Sequence, residues 1–244
     1  MEFQKYYIFT GGDAASGAGG RATFGVLLFP VSFRSLHMHI AIVGNIGAGK
    51  TTLAHKLAQH FRWEVFLEDV DDNPYLKDFY HDMPRWAFHL QVYFLNGRFR
   101  QTQRIKELQK AGKGIIQDRT IYEDAHIFAA NLHESGLLET RDYNNYYALF
   151  ESMIDLVAPP DLLLYLRADL PKLVSQIEKR GRDYENSISI EYLKSLNQHY
   201  ETWIAGYTAG RVLVVDVTEL DYVRNPEDLG TVIDKINNTL FGLF

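Results

Sequence analysis

The chain has 244 residues, of which 46% are hydrophobic and 23% are charged, a composition typical of a globular protein with one substantial core. The formal net charge of −6 argues against a broad nucleic-acid-binding surface, and the absence of cysteine excludes disulfides, thiol catalysis and thiolate metal sites. No apolar stretch approaches the roughly 20 residues that span a bilayer. We therefore expect a cytoplasmic protein whose partners include neither a membrane nor a nucleic-acid polymer.

The first 37 residues are predicted to lie outside the folded domain. Residues 11–20 are a low-complexity stretch rich in glycine and alanine, a composition typical of a flexible segment. A basic start followed by an apolar core, which is the pattern of a signal peptide, does not occur in that order. Met38 directly precedes the first predicted strand. We therefore predict an N-terminal extension over 1–37, disordered or not native, and one folded domain over 38–244.

From Met38 onward, short apolar runs alternate with helical patterns. The predicted strands span 39–43, 63–67, 114–118, 161–166 and 211–216. The predicted helices span 51–61, 85–111, 121–132, 142–157, 170–180, 189–205 and 226–240. Because the strand candidates are apolar on both faces, they indicate a parallel sheet that helices cover on each side. The alternation predicts an α/β fold with one five-stranded, doubly wound parallel sheet.

A glycine-rich loop separates the first predicted strand from the first predicted helix. It matches the pattern G-x-x-x-x-G-K-[ST] in full, and its residues are Gly44-Asn45-Ile46-Gly47-Ala48-Gly49-Lys50-Thr51-Thr52. Glycines let backbone N–H groups surround a phosphate, and the helix N-terminus adds partial positive charge. We expect Lys50 to reach the β- and γ-phosphates of ATP or GTP, and the Thr51 hydroxyl to ligate Mg²⁺. The loop leaves the acceptor of the phosphoryl group open.

Polar residues further along the chain are candidates for the acceptor site. Glu68 ends the second predicted strand, where ligands lie in open α/β sheets, and a carboxylate there can take the proton of an attacking hydroxyl. Gln91 and Arg98 lie seven residues apart on one face of the long second helix, so an amide and a guanidinium can meet a nucleobase together. Asp124 is placed to pair with Arg98 and hold it against the base. Ordinary solvated polar residues are the alternative interpretation for these positions.

Two further charged groups suit phosphate chemistry. Asp118 and Arg119 follow the third predicted strand, where an acid is typical of a Mg²⁺ site and an arginine can bind a phosphate or orient the attacking hydroxyl. The basic cluster at 179–182, which contains Arg180 and Arg182, can close over ATP phosphates as a lid. The alternative is that these basic side chains only complement the C-terminal end of a helix dipole.

In their order and spacing, these segments resemble those of the deoxyribonucleoside kinase family, especially the bacterial deoxyadenosine and deoxyguanosine kinases. The matching segments are residues 44–52, 63–68, 73–75, 88–91, 118–120 and 179–182. The resemblance covers the chain from Met38 essentially to the C-terminus. It implies a P-loop kinase fold with a short basic lid, ATP as the phosphate donor with Mg²⁺, and a homodimer.

The resemblance also implies roles for residues near the reacting groups. Glu68 matches the general base that activates the 5′-hydroxyl. Arg119 matches the arginine near the 5′-oxygen, and Asp118 matches the acid of the Mg²⁺ site. Arg180 and Arg182 match lid arginines that contact the phosphates of ATP.

Further matches concern the nucleoside. Gln91 resembles the amide that reads the base, and Phe128 resembles an aromatic ring that stacks on it. Tyr80 and Glu185 match positions that hold the sugar 3′-hydroxyl. These four residues are therefore expected to surround one nucleoside.

The Arg98–Asp124 pair carries the most information about the substrate. Members of the family that take purine deoxynucleosides or deoxycytidine resemble this chain in having such a pair, whereas thymidine-preferring members generally lack it. The chain also departs from animal members, because Asp69 stands where proline is frequent and Gln176 stands where some relatives have a further lid arginine. Because glutamine is uncharged, Gln176 would leave the lid with less positive charge than in those relatives.

Two other functions share part of this pattern. A nucleoside monophosphate kinase, such as a thymidylate kinase, shares the loop, the sheet and the lid but needs extra cations for an acceptor phosphate. A catalytically silent binding subunit would tolerate the loss of Lys50, Glu68 or Arg119, all of which are present, and the Asn-Lys-x-Asp motif of GTPases is absent. We therefore predict ATP-dependent phosphorylation of a deoxyribonucleoside 5′-hydroxyl, with deoxyadenosine or deoxyguanosine preferred and deoxycytidine as a further candidate.

Overall fold

The computed structural model describes residues 38–68 and 72–242, so the expectations for residues 1–37 and for Asp69 lie outside the described residues. The strands are β1 His39–Gly44, β2 Glu64–Phe66, β3 Ile115–Asp118, β4 Leu162–Arg167 and β5 Arg211–Asp216. They form one parallel sheet in the order β2-β3-β1-β4-β5. All five predicted strands are confirmed, each within one residue of its predicted bounds.

Helices flank this sheet. They are α1 Lys50–Phe61, α2 Leu76–His81, α3 Met83–Lys110, α4 Ile121–Glu123, α5 Ala130–Glu134, α6 Thr140–Ile154, α7 Leu170–Arg180, α8 Ile190–Gly206 and α9 Pro226–Phe241. A π-helical segment, Asp124–Ala129, joins α4 to α5, and a 3-10 turn, Asp183–Ser187, precedes α8. Within the described ranges, no helix is long and apolar enough to cross a membrane.

The central strand β1 positions the site. Its four central residues, Ile40 to Val43, have no exposed surface, and β1 pairs with β3 on one side and with β4 on the other. Leu53 and Leu57 of α1 pack into the same core, where each fully buried leucine contributes about 1.5–3 kcal/mol. Because the chain leaves β1 for strands on both sides, a crevice opens at the carboxyl ends of the strands. The glycine-rich loop begins at this edge of the sheet.

Two helical predictions were wrong or incomplete. The helix predicted over 121–132 is divided into α4, the π-helical segment and α5, because apolar spacing does not distinguish a single π-helical turn from a continuous α-helix. Helix α2 was not predicted at all. It has only six residues, and its buried Leu76 and Phe79 extend over less than two turns, too few to show a helical period.

Candidate active site

The loop of residues 44–52, called the phosphate loop below, has the backbone that its glycines permit. Gly47 and Gly49 each have a φ of +86°, in the left-handed region that glycine adopts without strain. A Cβ added at Gly47 would lie 2.6 Å from the carbonyl oxygen of Leu173, a backbone atom of α7. The conformation and the close packing both require glycine at position 47.

The substitution Gly47→Ala is expected to lower the free energy of unfolding by about 1–3 kcal/mol, because the new methyl group must displace the backbone of α7. It is also expected to weaken ATP binding, since the same displacement opens the loop. Gly97→Ala is the matched control. Gly97 lies in α3 with no atom within 4 Å of the added Cβ, so alanine there should stabilise the helix by about 0.5–1 kcal/mol. Urea unfolding measures the free energy of unfolding of both variants. An unchanged free energy of unfolding in Gly47→Ala would contradict this packing.

Lys50 begins α1 at the end of the phosphate loop. Its Nζ donates a hydrogen bond to the carbonyl of Asn45 at 2.8 Å. Burial, with Arg119 nearby, lowers the pKa of Lys50 to about 8, although neighbouring carboxylates oppose the shift. Bound phosphates would add negative charge beside the ammonium group and favour its protonated form.

Thr51 and Asp118 meet where the phosphate loop faces the end of β3. The Thr51 Oγ1 donates to the Asp118 Oδ2 at 2.5 Å, and the buried Oδ1 of Asp118 has no hydrogen-bond partner among the described residues. A hydroxyl and an unpartnered carboxylate oxygen are ligands suited to Mg²⁺. The described residues contain no group of three or more His, Cys, Asp or Glu arranged to hold a metal ion. Mg²⁺ in phosphotransferases needs fewer protein ligands, because phosphates and waters complete its shell.

A cavity of about 620 Å³ lies beside the phosphate loop, at the carboxyl edge of the sheet. Ten of the site residues predicted from the sequence line it: Ile46, Glu68, Tyr80, Gln91, Arg119, Asp124, Phe128, Arg180, Arg182 and Glu185. The first and the last of them lie more than 100 residues apart along the chain. The fold therefore gathers these side chains, most of them polar or charged, around one cavity.

Glu68 lies between two arginines. Its Oε2 accepts from the Arg119 Nε at 2.9 Å, and its Oε1 accepts from the Arg98 Nη2 at 3.2 Å. Burial by itself would raise the pKa of Glu68, but the two arginines and Lys50 outweigh it and lower the pKa to about 2. Glu68 is therefore ionised at neutral pH.

The predicted pairing of Arg98 with Asp124 is confirmed, at 3.3 Å between Nε and Oδ2. Burial raises the pKa of Asp124, and Arg98 opposes that shift. Arg98 itself is only 3% exposed and does not line the cavity. Its Nη1 donates to the carbonyl of Asp118 at 3.0 Å and its Nη2 contacts Glu68. The structure therefore places Arg98 behind the cavity wall, where it connects Asp124, Glu68 and β3.

The lid segment follows α7. Gly181 ends this helix with a φ of +67°, and the buried Glu185 lies in the 3-10 turn that follows. The Arg180 Nη2 is 2.7 Å from a carboxylate oxygen of Glu185, and the Arg182 Nη1 is 3.6 Å from the other. Both lid arginines thus face the cavity in company with Glu185, and their contact with ATP phosphates stays a prediction.

The remaining predicted side chains complete the cavity wall. The Tyr80 ring stacks on Tyr184 at 5.7 Å between centroids, and burial raises the pKa of Tyr80, so its hydroxyl keeps its proton. The Phe128 ring lies 4.7 Å from the Arg119 guanidinium. Gln91, which is 4% exposed, faces the cavity from α3. An amide, a hydroxyl and an aromatic face together suit a flat, polar molecule such as a nucleoside.

Comparison with known proteins agrees with this geometry. The family model described as deoxynucleoside kinase matches residues 40–241. The chain belongs to the deoxynucleoside kinase family. It is 40% identical over 203 residues to the deoxyadenosine/deoxycytidine kinase of Bacillus subtilis (strain 168), covering 82% of this chain and 92% of that protein.

Two further kinases extend the comparison. The deoxyadenosine kinase of Dictyostelium discoideum is 42% identical over 195 residues, covering 80% of this chain and 77% of that protein. The structure of deoxyadenosine kinase from M. mycoides with bound dATP superposes with a TM-score of 0.73 at 34% identity, covering 82% of this chain and 100% of that one. The predicted P-loop kinase fold is confirmed.

This deoxynucleoside kinase has a second crevice, of about 350 Å³, on the other side of the phosphate loop. Gly47, Gly49 and Thr52 line it together with Gln176 of α7. The Tyr222 hydroxyl closes one wall by donating to the carbonyl of Gly49 at 3.0 Å. Gln176, which was noted as a departure from some relatives, therefore lies beside the phosphate loop.

Two buried residues of this kinase, Glu123 and Tyr200, were not predicted from the sequence. Thr120 and Glu123 match the capping-box pattern, and the structure shows that box at the start of α4, but the pattern predicts only a helix start. Tyr200 lies inside α8 among other aromatic residues, and no local pattern distinguishes it. Both contact Arg119.

Proposed function

We propose that the enzyme transfers the γ-phosphoryl group of ATP to the 5′-hydroxyl of a deoxyribonucleoside, with deoxyadenosine or deoxyguanosine preferred and deoxycytidine as a further substrate. One observation carries this proposal: the ionised Glu68 lines a cavity beside the phosphate loop together with the Gln91 amide and the Phe128 ring. The names of the relatives, which include deoxyadenosine, deoxycytidine and deoxyguanosine kinases, support the purine preference without separating the candidates.

In this proposal the residues divide the reaction between them. Glu68 accepts the proton of the 5′-hydroxyl as that oxygen attacks the γ-phosphorus, and the bond to the β,γ-bridging oxygen breaks to release ADP. Arg119, whose Nε contacts Glu68, orients the hydroxyl and stabilises the charge that develops. Lys50, with Arg180 and Arg182 of the lid, neutralises the transferring phosphoryl group.

The nucleoside is held by the remaining side chains of the cavity. Gln91 pairs with the edge of the base while Phe128 stacks on its face. Tyr80 and Glu185 hold the 3′-hydroxyl. Asp124, which is paired with Arg98, contacts the base from the cavity wall.

Thr51 and Asp118 would hold Mg²⁺. The unpartnered Oδ1 of Asp118 and the neighbouring Thr51 hydroxyl provide oxygen ligands for it. When bound, the ion would neutralise phosphate charge and orient the donor.

A nucleoside monophosphate kinase is the competing function. Its acceptor phosphate would require a cation without a carboxylate partner. Among the described residues that line the cavity, every arginine has a carboxylate oxygen within 3.6 Å: Arg119 has Glu68, and Arg180 and Arg182 share Glu185. The charges of the cavity therefore favour a neutral acceptor.

The assembly and the extent of the domain are also proposals. The family resemblance supports a homodimer in the cytoplasm, and the family match over residues 40–241 supports a kinase domain over 38–244. Sedimentation equilibrium of the purified enzyme tests the dimer, since a monomer at micromolar concentration would contradict it.

The test of the function is a radiolabelled phosphate-transfer assay with each natural deoxynucleoside, dAMP and dTMP as acceptors. We expect kcat/KM for deoxyadenosine or deoxyguanosine to exceed that for thymidine by at least about 100-fold, the discrimination available to a buried hydrogen-bonding site. Phosphorus NMR should place the phosphate on the 5′-oxygen. Faster transfer to the monophosphates would establish the competing function, and negligible rates for all acceptors would overturn the enzyme assignment.

A further inference from the structure

Arg119 has an unusual backbone for a residue with a side chain. Its φ is +69°, in the left-handed region that few non-glycine residues adopt. Its N–H donates to the carbonyl of Ile42 in β1 at 2.9 Å, which holds this conformation at the end of β3. The strained turn directs the guanidinium back across the end of β1, toward the start of the phosphate loop.

The guanidinium is held on opposite edges. Its Nε contacts Glu68, as described above, whereas its Nη1 lies 3.3 Å from the carbonyl oxygen of Gly44 and 3.3 Å from the Glu123 Oε1. The same Nη1 lies 3.2 Å from the Tyr200 hydroxyl. The edge that faces away from the acceptor cavity is therefore surrounded by three oxygen atoms.

Tyr200 and Glu123 join these contacts into one buried cluster. The Tyr200 Oη lies 2.6 Å from the Glu123 Oε1 and 2.9 Å from the carbonyl oxygen of Gly44. The Glu123 carboxylate also accepts from the N–H of Gly44 at 3.3 Å and from the N–H of Thr120 at 2.9 Å. Both side chains have no exposed surface. Three separate elements, the phosphate loop, the β3–α4 turn and α8, meet at this cluster.

We propose that Tyr200 and Glu123 are positioning residues that fix the Arg119 guanidinium relative to the phosphate loop. Through them, the arginine beside the attacking hydroxyl and the loop that holds the donor keep one fixed separation. Neither residue lines the acceptor cavity, so they act through their contacts with Arg119 and with Gly44 of the phosphate loop. The inference rests on the proposed role of Arg119 in phosphoryl transfer.

The chain offers a matched pair of variants for the test. The rings of Tyr165 and Tyr200 stack on each other at 5.6 Å, and both are buried. The Tyr165 hydroxyl donates to Glu201 at 2.9 Å and lies beside Arg167, and neither of these partners lines the cavity. Tyr200→Phe and Tyr165→Phe therefore remove the same atom from the same stacked pair but from different networks.

Tyr200→Phe is expected to lower kcat by about 10- to 100-fold, the effect of losing one hydrogen bond to a charged group that matters in the transition state. The KM values for ATP and for the deoxynucleoside should stay within about twofold, because Tyr200 lines neither the acceptor cavity nor the second crevice beside the phosphate loop. Tyr165→Phe should keep wild-type kcat. Both variants are compared by steady-state kinetics and by thermal unfolding.

The outcomes separate positioning from mere packing. Equal loss of kcat in the two phenylalanine variants, or loss only through raised KM, would overturn the inference. Glu123→Gln, which keeps the side-chain volume, decides in the same way if Tyr200→Phe does not fold. The kcat of Arg119→Lys is measured in parallel. Wild-type kcat in that variant would refute the role of Arg119 itself. A lowered kcat in Arg119→Lys with wild-type kcat in Tyr200→Phe would refute only the positioning role of Tyr200.

Discussion

Glu68→Gln is expected to lower kcat for deoxyadenosine by about 10²–10³-fold, within the range that a general base supplies. The amide keeps the size of the side chain but has no basicity, so the 5′-hydroxyl must lose its proton to water. The Kd of the nucleoside should stay within a few-fold of wild type, because the residues assigned to the base and the 3′-hydroxyl are unchanged. Turnover is measured by ADP release and binding by calorimetry.

Glu64→Gln is the control for this variant. Glu64 lies on β2, four residues earlier, and its half-exposed carboxylate is 3.7 Å from Lys113 on the surface. Removing a surface pair of this kind changes stability by at most about 1 kcal/mol and should leave kcat unchanged. A kcat for Glu68→Gln within twofold of wild type would show that another group accepts the proton.

The same substitution has a predicted pH signature in stability. The pKa of Glu68 is about 2 in the folded protein, below its ordinary value of 4.5, so the folded state favours the charged form. The stability from this charge is therefore present in full above about pH 4.5 and is lost as the pH falls through about 2. The difference in melting temperature between wild type and Glu68→Gln should be largest above about pH 4.5 and should narrow as the pH is lowered from 4.5 to 2. A constant difference would contradict the ion pairs with the two arginines.

The double substitution Arg98→Met with Asp124→Ala is expected to reverse the substrate preference. We expect the ratio of kcat/KM for deoxyadenosine to kcat/KM for thymidine to fall by about 10³-fold, the combined effect of lost base contacts and of space gained for the thymine methyl group. Arg98 also contacts Glu68, so kcat should change for every substrate. The ratio cancels this common effect, which makes it the appropriate measurement.

Stability measurements accompany this second prediction. Arg98→Met alone leaves Asp124 as a buried carboxylate without its partner, which should cost about 3 kcal/mol, whereas the double variant removes both charges and should recover part of that loss. The control is Arg104→Met with Glu107→Ala, an exposed pair at 2.9 Å on the same helix. That control should keep both stability and selectivity. An unchanged ratio of kcat/KM values in the Arg98/Asp124 double variant would show that this pair does not determine substrate specificity.

Much of the site was predictable because its parts carry local patterns. The phosphate loop has a motif whose glycines are required by a positive φ at Gly47 and Gly49. The β-strands are continuous apolar runs, which periodicity detects well. The pairing of Arg98 with Asp124 was predicted from the position of Asp124 shortly after Asp118 and Arg119 and from the family resemblance, and the distance of 3.3 Å confirms it.

The contacts that the sequence did not predict are those between distant segments. Arg98 reaches Glu68 across 30 residues, and Tyr200 reaches Glu123 across 77 residues. Nothing local in a helix indicates which of its polar side chains will face a buried charge. The π-helical segment after α4 and the short α2 were missed for a related reason, since a single turn is too short to show a period.

The sequence by itself determined the class of the protein: an α/β kinase whose triphosphate site follows the first strand. This follows because the phosphate loop requires only consecutive residues with particular backbone freedom and charge. Only the tertiary structure decided how Glu68 is charged, since its low pKa depends on two arginines brought in from α3 and from the end of β3. Likewise, only folding places Tyr200 and Glu123 behind Arg119, because buried polar groups find partners by position in space rather than by order along the chain.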